Sequence, residues 1–268
     1  MQAHLKHGMG CLAILAAIAL AGCGAPDPID TLVLGERGRV VRIIDGDALV
    51  LDTGQSVRLV AIEAPAPPWR DRTGQPFADE AARILEDLSL GRAVRLYYAG
   101  LSRDRYDRAL AHVVTDDSLG PKLWINRELV ARGAARVRVY PDTARGADGF
   151  IALEAQARGA AEGLWDLPAY KIAPASDLDG SERGFMLVEG ILADPEWGAS
   201  PGEDQDQRRG GPPLCTRRLL ASNVSIEVAM SAGDVCDLTP GARVIARGYV
   251  RANRIDVTHR LNITIVDR

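Results

Sequence analysis

The stretch RVVRIIDGDALVLDTGQSVRLVAIEAPA, residues 39–66, decides how the chain folds. Val40, Val41, Ile43 and Ile44 lead into Asp45-Gly46-Asp47. Ala48 to Leu51 lead into Asp52-Thr53-Gly54, and Val57 to Ile62 end at Glu63, ahead of Pro65. Short aliphatic runs punctuated by Asp-Gly and Thr-Gly predict a β-meander. The chemistry falls where the strands end: Asp47 opens the second strand, Glu63 closes the third, and Arg58 precedes Glu63 by five residues. Two hard oxygen ligands on adjacent strands suit Ca²⁺ or Mg²⁺, and a nearby guanidinium suits a phosphate bridging to that metal. A solvated hairpin turn and a strand-end acid account for the same spacing, because Asp-Gly is the commonest hairpin dipeptide. The remaining motifs must therefore decide.

Beyond this stretch the periodicity changes. Ala78, Ala81, Ala82, Leu85 and Leu88 share one face at helical spacing, which predicts a helix over Phe77 to Leu90 stopped by Gly91. Ala93 to Tyr98 and Ala109 to Thr115 read as strands, and Lys122 to Arg132 and Phe150 to Leu164 as helices. The apolar stripes are expected to form core, with His112 among them as a satisfied barrel residue. Residues 167–183, polar and rich in Pro, Ala, Asp and Ser, read as a linker. Residues 184–268 read as a small β-rich domain with strands over Phe185 to Leu192, Val224 to Ala229, Val244 to Val250 and Ile255 to Val266. Asp194 to Pro213 forms a long polar insertion, expected to be disordered. Arg243, Arg247, Arg251, Arg254 and Arg260 form a locally basic set that suits either a solvated strand face or a phosphate backbone, and His259 lacks a second ligand nearby.

Taken in order, the motifs resemble the staphylococcal-nuclease-like, or thermonuclease, domain. They are Asp45-Gly46-Asp47, then Arg58 through Glu63-Ala64-Pro65-Ala66, then Asp104-Arg105-Tyr106-Asp107-Arg108, then Glu154-Ala155-Gln156-Ala157, and finally Gly163-Leu164-Trp165. The resemblance implies an α+β, mainly β fold over residues 36–166: a five-stranded OB-type barrel with three helices, whose face binds nucleic acid or nucleotides. It implies that Asp47 and Glu63, with the carbonyl of Ala64, hold Ca²⁺ or another divalent cation. Arg58 and Arg108 would grip the scissile phosphate and stabilise its developing charge. Tyr106 and Tyr140 fall near positions that contact a nucleotide in this family.

Three departures bear on activity. Ala66 stands where the family carries the glutamate that activates water, and alanine cannot accept a proton. Glu63 replaces an aspartate, which a flexible Ca²⁺ shell tolerates. Asp107 replaces a glycine and is placed to pair with Arg108. A Ca²⁺-dependent phosphodiesterase acting on DNA or RNA is one expectation; a non-catalytic nucleic-acid-binding or envelope-structural lipoprotein that kept the barrel is the other.

Residues 1–22 read as a signal peptide. Cys11 to Ala21 is an unbroken apolar run too short to span a bilayer. It ends in Leu20-Ala21-Gly22-Cys23, which resembles a bacterial lipobox. Cys23 would carry lipid, residues 23–35 would be a tether, and the body would be exported and held at the cell envelope, at the outer membrane where one exists. Removing residues 1–22 takes away Lys6 and no acid, so the formal charge of -4 becomes -5. An acidic body argues against broad adhesion to nucleic acid, so phosphate contacts must be local. Cys215 and Cys236 are then left, and two leftover cysteines in an exported chain are expected to pair.

Overall fold

The computed structural model describes residues 27–198 and 214–266. The signal-peptide and Cys23 readings lie outside the described residues, as does most of the polar insertion. The first region runs β1 (Val33–Asp45), β2 (Ala48–Leu51), β3 (Ser56–Leu59), β4 (Ile62–Glu63), α1 (Ala78–Ser89), β5 (Ala93–Tyr98), β6 (Ala109–Thr115), α2 (Ile125–Ala131), β7 (Arg136–Val137) and α3 (Phe150–Gly159). β1, β2, β3, β6 and β5 close into a barrel in that spatial order. The closing pair, β3 with β6, is parallel and sets Arg58 opposite Leu110. β1 reaches both neighbours because register shifts near Leu34, Val40 and Ile43 bend it around the barrel. Inside lie Val40, Leu49, Leu51, Val57, Leu59 and Val113, with Leu85 of α1 and Leu129 of α2 closing the ends. This is the OB-type barrel with three helices that the sequence predicts.

The second region is also β-rich. It comprises β8 (Ala173–Pro174), β9 (Arg183–Trp197), β10 (Cys215–Leu219), β11 (Ser225–Val228), β12 (Arg243–Arg251), β13 (Arg254–Val257) and β14 (Ile263–Ile265). β12 pairs with both β13 and β9, so the sheet curls back on itself around Val188, Leu192, Ile226, Val244 and Ile255. Cys215 and Cys236 are bonded to each other under this sheet. The stretch 167–183 is folded against both regions: Tyr170 is buried and donates its hydroxyl to the Pro76 carbonyl at 2.6 Å, and β8 pairs in parallel with β9.

Three sequence expectations need correction. The third strand does not run unbroken to Ile62. It stops at Leu59, and Ala61 adopts a left-handed conformation (φ 63°) that turns Ile62 and Glu63 out of the barrel to pair with β7. The polar insertion is ordered through Trp197, because β9 gains β10 as a partner as far as the Trp197–Cys215 pair. Ile255 to Val266 is two strands, split by a turn in which the His259 ring accepts the Leu261 amide.

His112 is wholly buried in the barrel, as expected. Its Nδ1 accepts the Trp124 indole N–H at 3.2 Å and its Nε2 faces the Arg145 carbonyl at 3.2 Å, which fixes the neutral tautomer. Burial pushes the imidazole down to about 4, with the Arg145 carbonyl pulling weakly upward. An unfolded histidine titrates near 6.5, so between these values the unfolded chain holds the extra proton. Stability is therefore full above about pH 6.5 and falls as pH drops toward 4. We expect the stability of wild type relative to His112→Gln, the two compared at the same pH so that other titrations cancel, to fall by on the order of 2 kcal/mol between pH 7 and 5. A difference between the two chains that is the same at both pH values would contradict this.

Candidate phosphate-binding site

The Asp45-Gly46-Asp47 turn lies flush against β4 and α1, since a Cβ on Gly46 would stand 2.6 Å from that of Ala64 and 2.8 Å from that of Ala81. Asp45 stabilises the turn by accepting the Asp47 amide at 3.1 Å. The Asp47 carboxylate is thereby buried beneath Arg58. One oxygen accepts from the Arg58 guanidinium and the other accepts the Ala64 amide at 2.7 Å. Burial pushes the Asp47 carboxyl up to about 8 against the pull of Arg58, and the Asp45 charge adds to the rise. For Arg58 burial works against the charged form, but Asp47, Asp45 and Glu63 outweigh it and hold the guanidinium above its usual value.

Glu63 is placed differently. The turn at Ala61 sets it opposite Arg136 of β7, where one carboxylate oxygen accepts from Arg138 and the other accepts the Tyr249 hydroxyl of β12 at 3.1 Å. Asp47 and Glu63 each carry their own guanidinium.

Arg108 comes from the turn before β6. Asp104 organises that turn by accepting the amides of Tyr106 at 2.9 Å and Arg108 at 3.0 Å, and its second oxygen holds the Arg108 guanidinium at 2.7 Å. Burial pushes the Asp104 carboxyl upward, but the amides and the guanidinium outweigh it and hold the group below the usual range. Asp107 does not pair with Arg108. It takes the left-handed backbone (φ 60°) in place of glycine, and its carboxylate points toward Arg103, 3.9 Å away. Aspartate tolerates that conformation better than most side chains.

Arg58 and Arg108 line one cavity of about 380 Å³ together with Arg138 and Tyr140. Tyr106 is two-thirds exposed, with the guanidinium groups of Arg105 and Arg108 4.8 and 5.7 Å from its ring centroid. The structure thus places Arg58, Arg108 and Tyr140 on one cavity, with Tyr106 beside Arg108 outside that lining. Sequence reasoning missed Arg138, whose guanidinium lies 4.7 Å from the Tyr140 ring and 4.5 Å from the Tyr249 ring. The alternation in Arg136-Val137-Arg138-Val139-Tyr140, which puts both arginines and the tyrosine on one face, was the available signal. Of the five arginines read from the sequence as a basic set, Arg243, Arg247, Arg254 and Arg260 each pair with a carboxylate.

Calcium, which the resemblance implies, would draw on Asp47, Glu63 and the Ala64 carbonyl. These are hard oxygen donors of the right kind. In this arrangement both oxygens of each carboxylate accept from donors of this chain, so the ion would gain its full share of them only as Arg58 and Arg138 move aside. Among the described residues no group of three or more His, Cys, Asp or Glu side chains is gathered where a metal could sit.

A closed five-stranded barrel with two arginines lining one cavity, the first of them paired with a buried acid, defines the class, and the comparisons agree. Residues 56–167 match the family model described as staphylococcal nuclease homologue. The chain is 32% identical over 131 residues to a protein of Escherichia coli O157:H7 described as an uncharacterized endonuclease, covering 48% of this chain and 76% of that one. It is 33% identical over 114 residues to the thermonuclease of Staphylococcus intermedius, covering 41% of this chain and 65% of that one. It is 32% identical over 149 residues to the probable endonuclease LCL3 of Verticillium alfalfae, covering 53% of this chain and 51% of that one. The chain belongs to the staphylococcal nuclease family. The matched segment ends at residue 167, ahead of β8.

The engaged carboxylates make a prediction independent of turnover. Calcium titrated calorimetrically into the metal-free chain, without nucleotide, should give no saturable heat. The double change Arg138→Met with Tyr249→Phe frees Glu63 and should let weak binding emerge. A saturable isotherm from the wild-type chain would show that the guanidinium contacts do not block the ion.

Proposed function

We propose that this chain is a phosphodiesterase of the endonuclease type acting on DNA or RNA, exported and tethered through lipid on Cys23. The observation that carries the reading is the convergence of Arg58 and Arg108 on one cavity, Arg58 backed by the buried Asp47 and Arg108 aimed by Asp104. Paired guanidinium groups fixed in orientation suit a phosphate that gains charge as it is attacked, and a lysine would lose the bidentate geometry. Calcium dependence belongs to the reading through the family resemblance. A phosphate that draws Arg58 away would release the Asp47 carboxylate, so ion and substrate are expected to bind together.

Turnover is expected to be slow. Ala66 is exposed between Pro65 and Pro67, with its amide held by the Gln75 side chain at 2.8 Å, and it offers no proton acceptor. Glu80, in the first turn of the following helix, is paired with Arg83 at 2.9 Å. The absent base, together with the capture of Glu63 by Arg138 and Tyr249, favours the second reading: a binding protein of the cell envelope that keeps the barrel and does not cut.

One assay separates the two. Plasmid and RNA are incubated with the membrane-extracted chain at constant Ca²⁺. Arg58→Ala should lower cleavage by on the order of 10²-fold. Ala66→Glu, which restores a base, should raise it by about tenfold, part of what a positioned base contributes. Activity should follow the detergent phase in wild type and the aqueous phase in Cys23→Ser. No cleavage by wild type or Ala66→Glu, with nucleic acid still bound, would establish the binding reading instead.

A further inference from the structure

The second β-rich region carries a feature that the barrel alone does not need. At the seam between the regions lies a second cavity of about 370 Å³, lined by Arg138, Tyr140, Phe185, Tyr249, Arg251 and Asn262. Arg138 and Tyr140 also line the cavity that holds Arg58 and Arg108, so the two cavities adjoin across these side chains. Each half is at the small end of ligand-pocket volumes, about the size for a single nucleotide.

The lining is specific in chemistry. Tyr140 and Tyr249 remain 45% and 39% exposed, so each still offers ring surface although Arg138 lies against both. Arg251 stands apart from the other four arginines of the basic set, since it has no ion-pair partner among the described residues. Strand pairing sets it opposite Arg183 in β9 and Arg254 in β13, which concentrates positive charge at that end of the sheet. Asn262 spends its side-chain oxygen on the amides of Thr258 and His259, at 3.2 and 2.8 Å, which leaves its NH₂ group as a donor. Asp256 is the one acid on the lining, against two guanidinium groups. Aromatic faces beside cations and amide donors suit a base with its phosphate, and stacked rings of this kind take unpaired bases.

We propose that the seam is a second nucleotide subsite, so that the chain grips single-stranded nucleic acid across two adjoining pockets, with Tyr249 stacking a base and Arg251 meeting a phosphate. This rests on the phosphodiesterase reading of the Arg58–Arg108 cavity and extends it by assigning a role to the second region. The net charge of -4 fits a short local track better than a broad basic face.

The test is fluorescence anisotropy with the whole chain, with chelator present to prevent cleavage. The probes are a labelled thymidine 5′-monophosphate, hexathymidylate and a hairpin duplex. Wild type should bind hexathymidylate at least about tenfold tighter than the mononucleotide, in line with stacking of one further base. Tyr249→Ala and Arg251→Ala should each remove most of that gain, and Arg251→Ala, which touches neither Glu63 nor the barrel cavity, should leave mononucleotide affinity unchanged. Tyr249→Phe, which keeps the ring and drops the hydroxyl, should retain it. Arg251 is exposed and has no ion-pair partner among the described residues, so its substitution does not threaten the fold. The subsite is overturned if hexathymidylate gains nothing over the mononucleotide, or if its gain survives both alanine variants. Equal affinity for the hairpin overturns the single-strand assignment. A mononucleotide affinity indifferent to Arg58→Ala would instead sink the underlying reading of the barrel cavity.

Discussion

The ion pair between Glu154 and Arg247 holds the two halves of this molecule in one arrangement. Glu154 of α3 is wholly buried; one oxygen accepts the Val137 amide at 2.7 Å and the other accepts from Arg247 of β12, also at 2.7 Å. A charge so placed is tolerated only with its partner in position, because an unpaired buried ion costs several kcal/mol. The same contact fixes β7, which pairs with β4 and so positions Glu63, while the neighbouring Arg138 reaches across to that carboxylate. Arg136 completes the seam, donating to the Phe185 carbonyl at 2.7 Å between the rings of Tyr170 and Phe185. Arg136, Arg138 and Arg247 surround the two carboxylates Glu63 and Glu154, so the wall shared by barrel and second region is cationic.

That surplus explains why the candidate site looks as it does. In a low-dielectric setting each acid needs a nearby cation, and here the chain's own arginines supply it. Asp47 is quenched by Arg58 and Glu63 by Arg138, leaving a cavity lined by the three arginines Arg58, Arg108 and Arg138 against the two aspartates Asp104 and Asp142. Such a surface is ready for a phosphate and poorly prepared for a free cation. The barrel supplies the first pair of arginines, and the seam adds Arg138 with two tyrosines.

How much of this was legible in the sequence follows from the range of the interactions. The barrel strands and α1 came through because each is set by local period and turn chemistry; β5 and β6 have the predicted bounds, and Asp45-Gly46-Asp47 is a turn. Arg58 and Arg108 were legible through motif spacing, and their convergence on one cavity follows from the β3–β6 pairing. What failed depends on contacts made far along the chain. The left-handed Ala61 carries no signal in a residue type that rarely adopts it, and it diverts Glu63 to β7. Arg138 and Tyr249 meet Glu63 from 75 and 186 residues away. The helix predicted to Leu164 ends at Gly159, after which Ala161 and Gly163 take positive φ and the chain turns toward Trp165.

Phosphate recognition depends most on Arg58 and Arg108 acting as one unit, and guanidinium NMR reads this directly. In a titration of the uniformly ¹⁵N-labelled chain with thymidine 3′,5′-bisphosphate, the Nε–Hε resonances of Arg58 and Arg108 should shift together along one saturable curve. Those of the surface arginines Arg37, Arg243 and Arg254 should stay in place. Shifts spread evenly over the surface arginines, with Arg58 and Arg108 unmoved, would contradict the account.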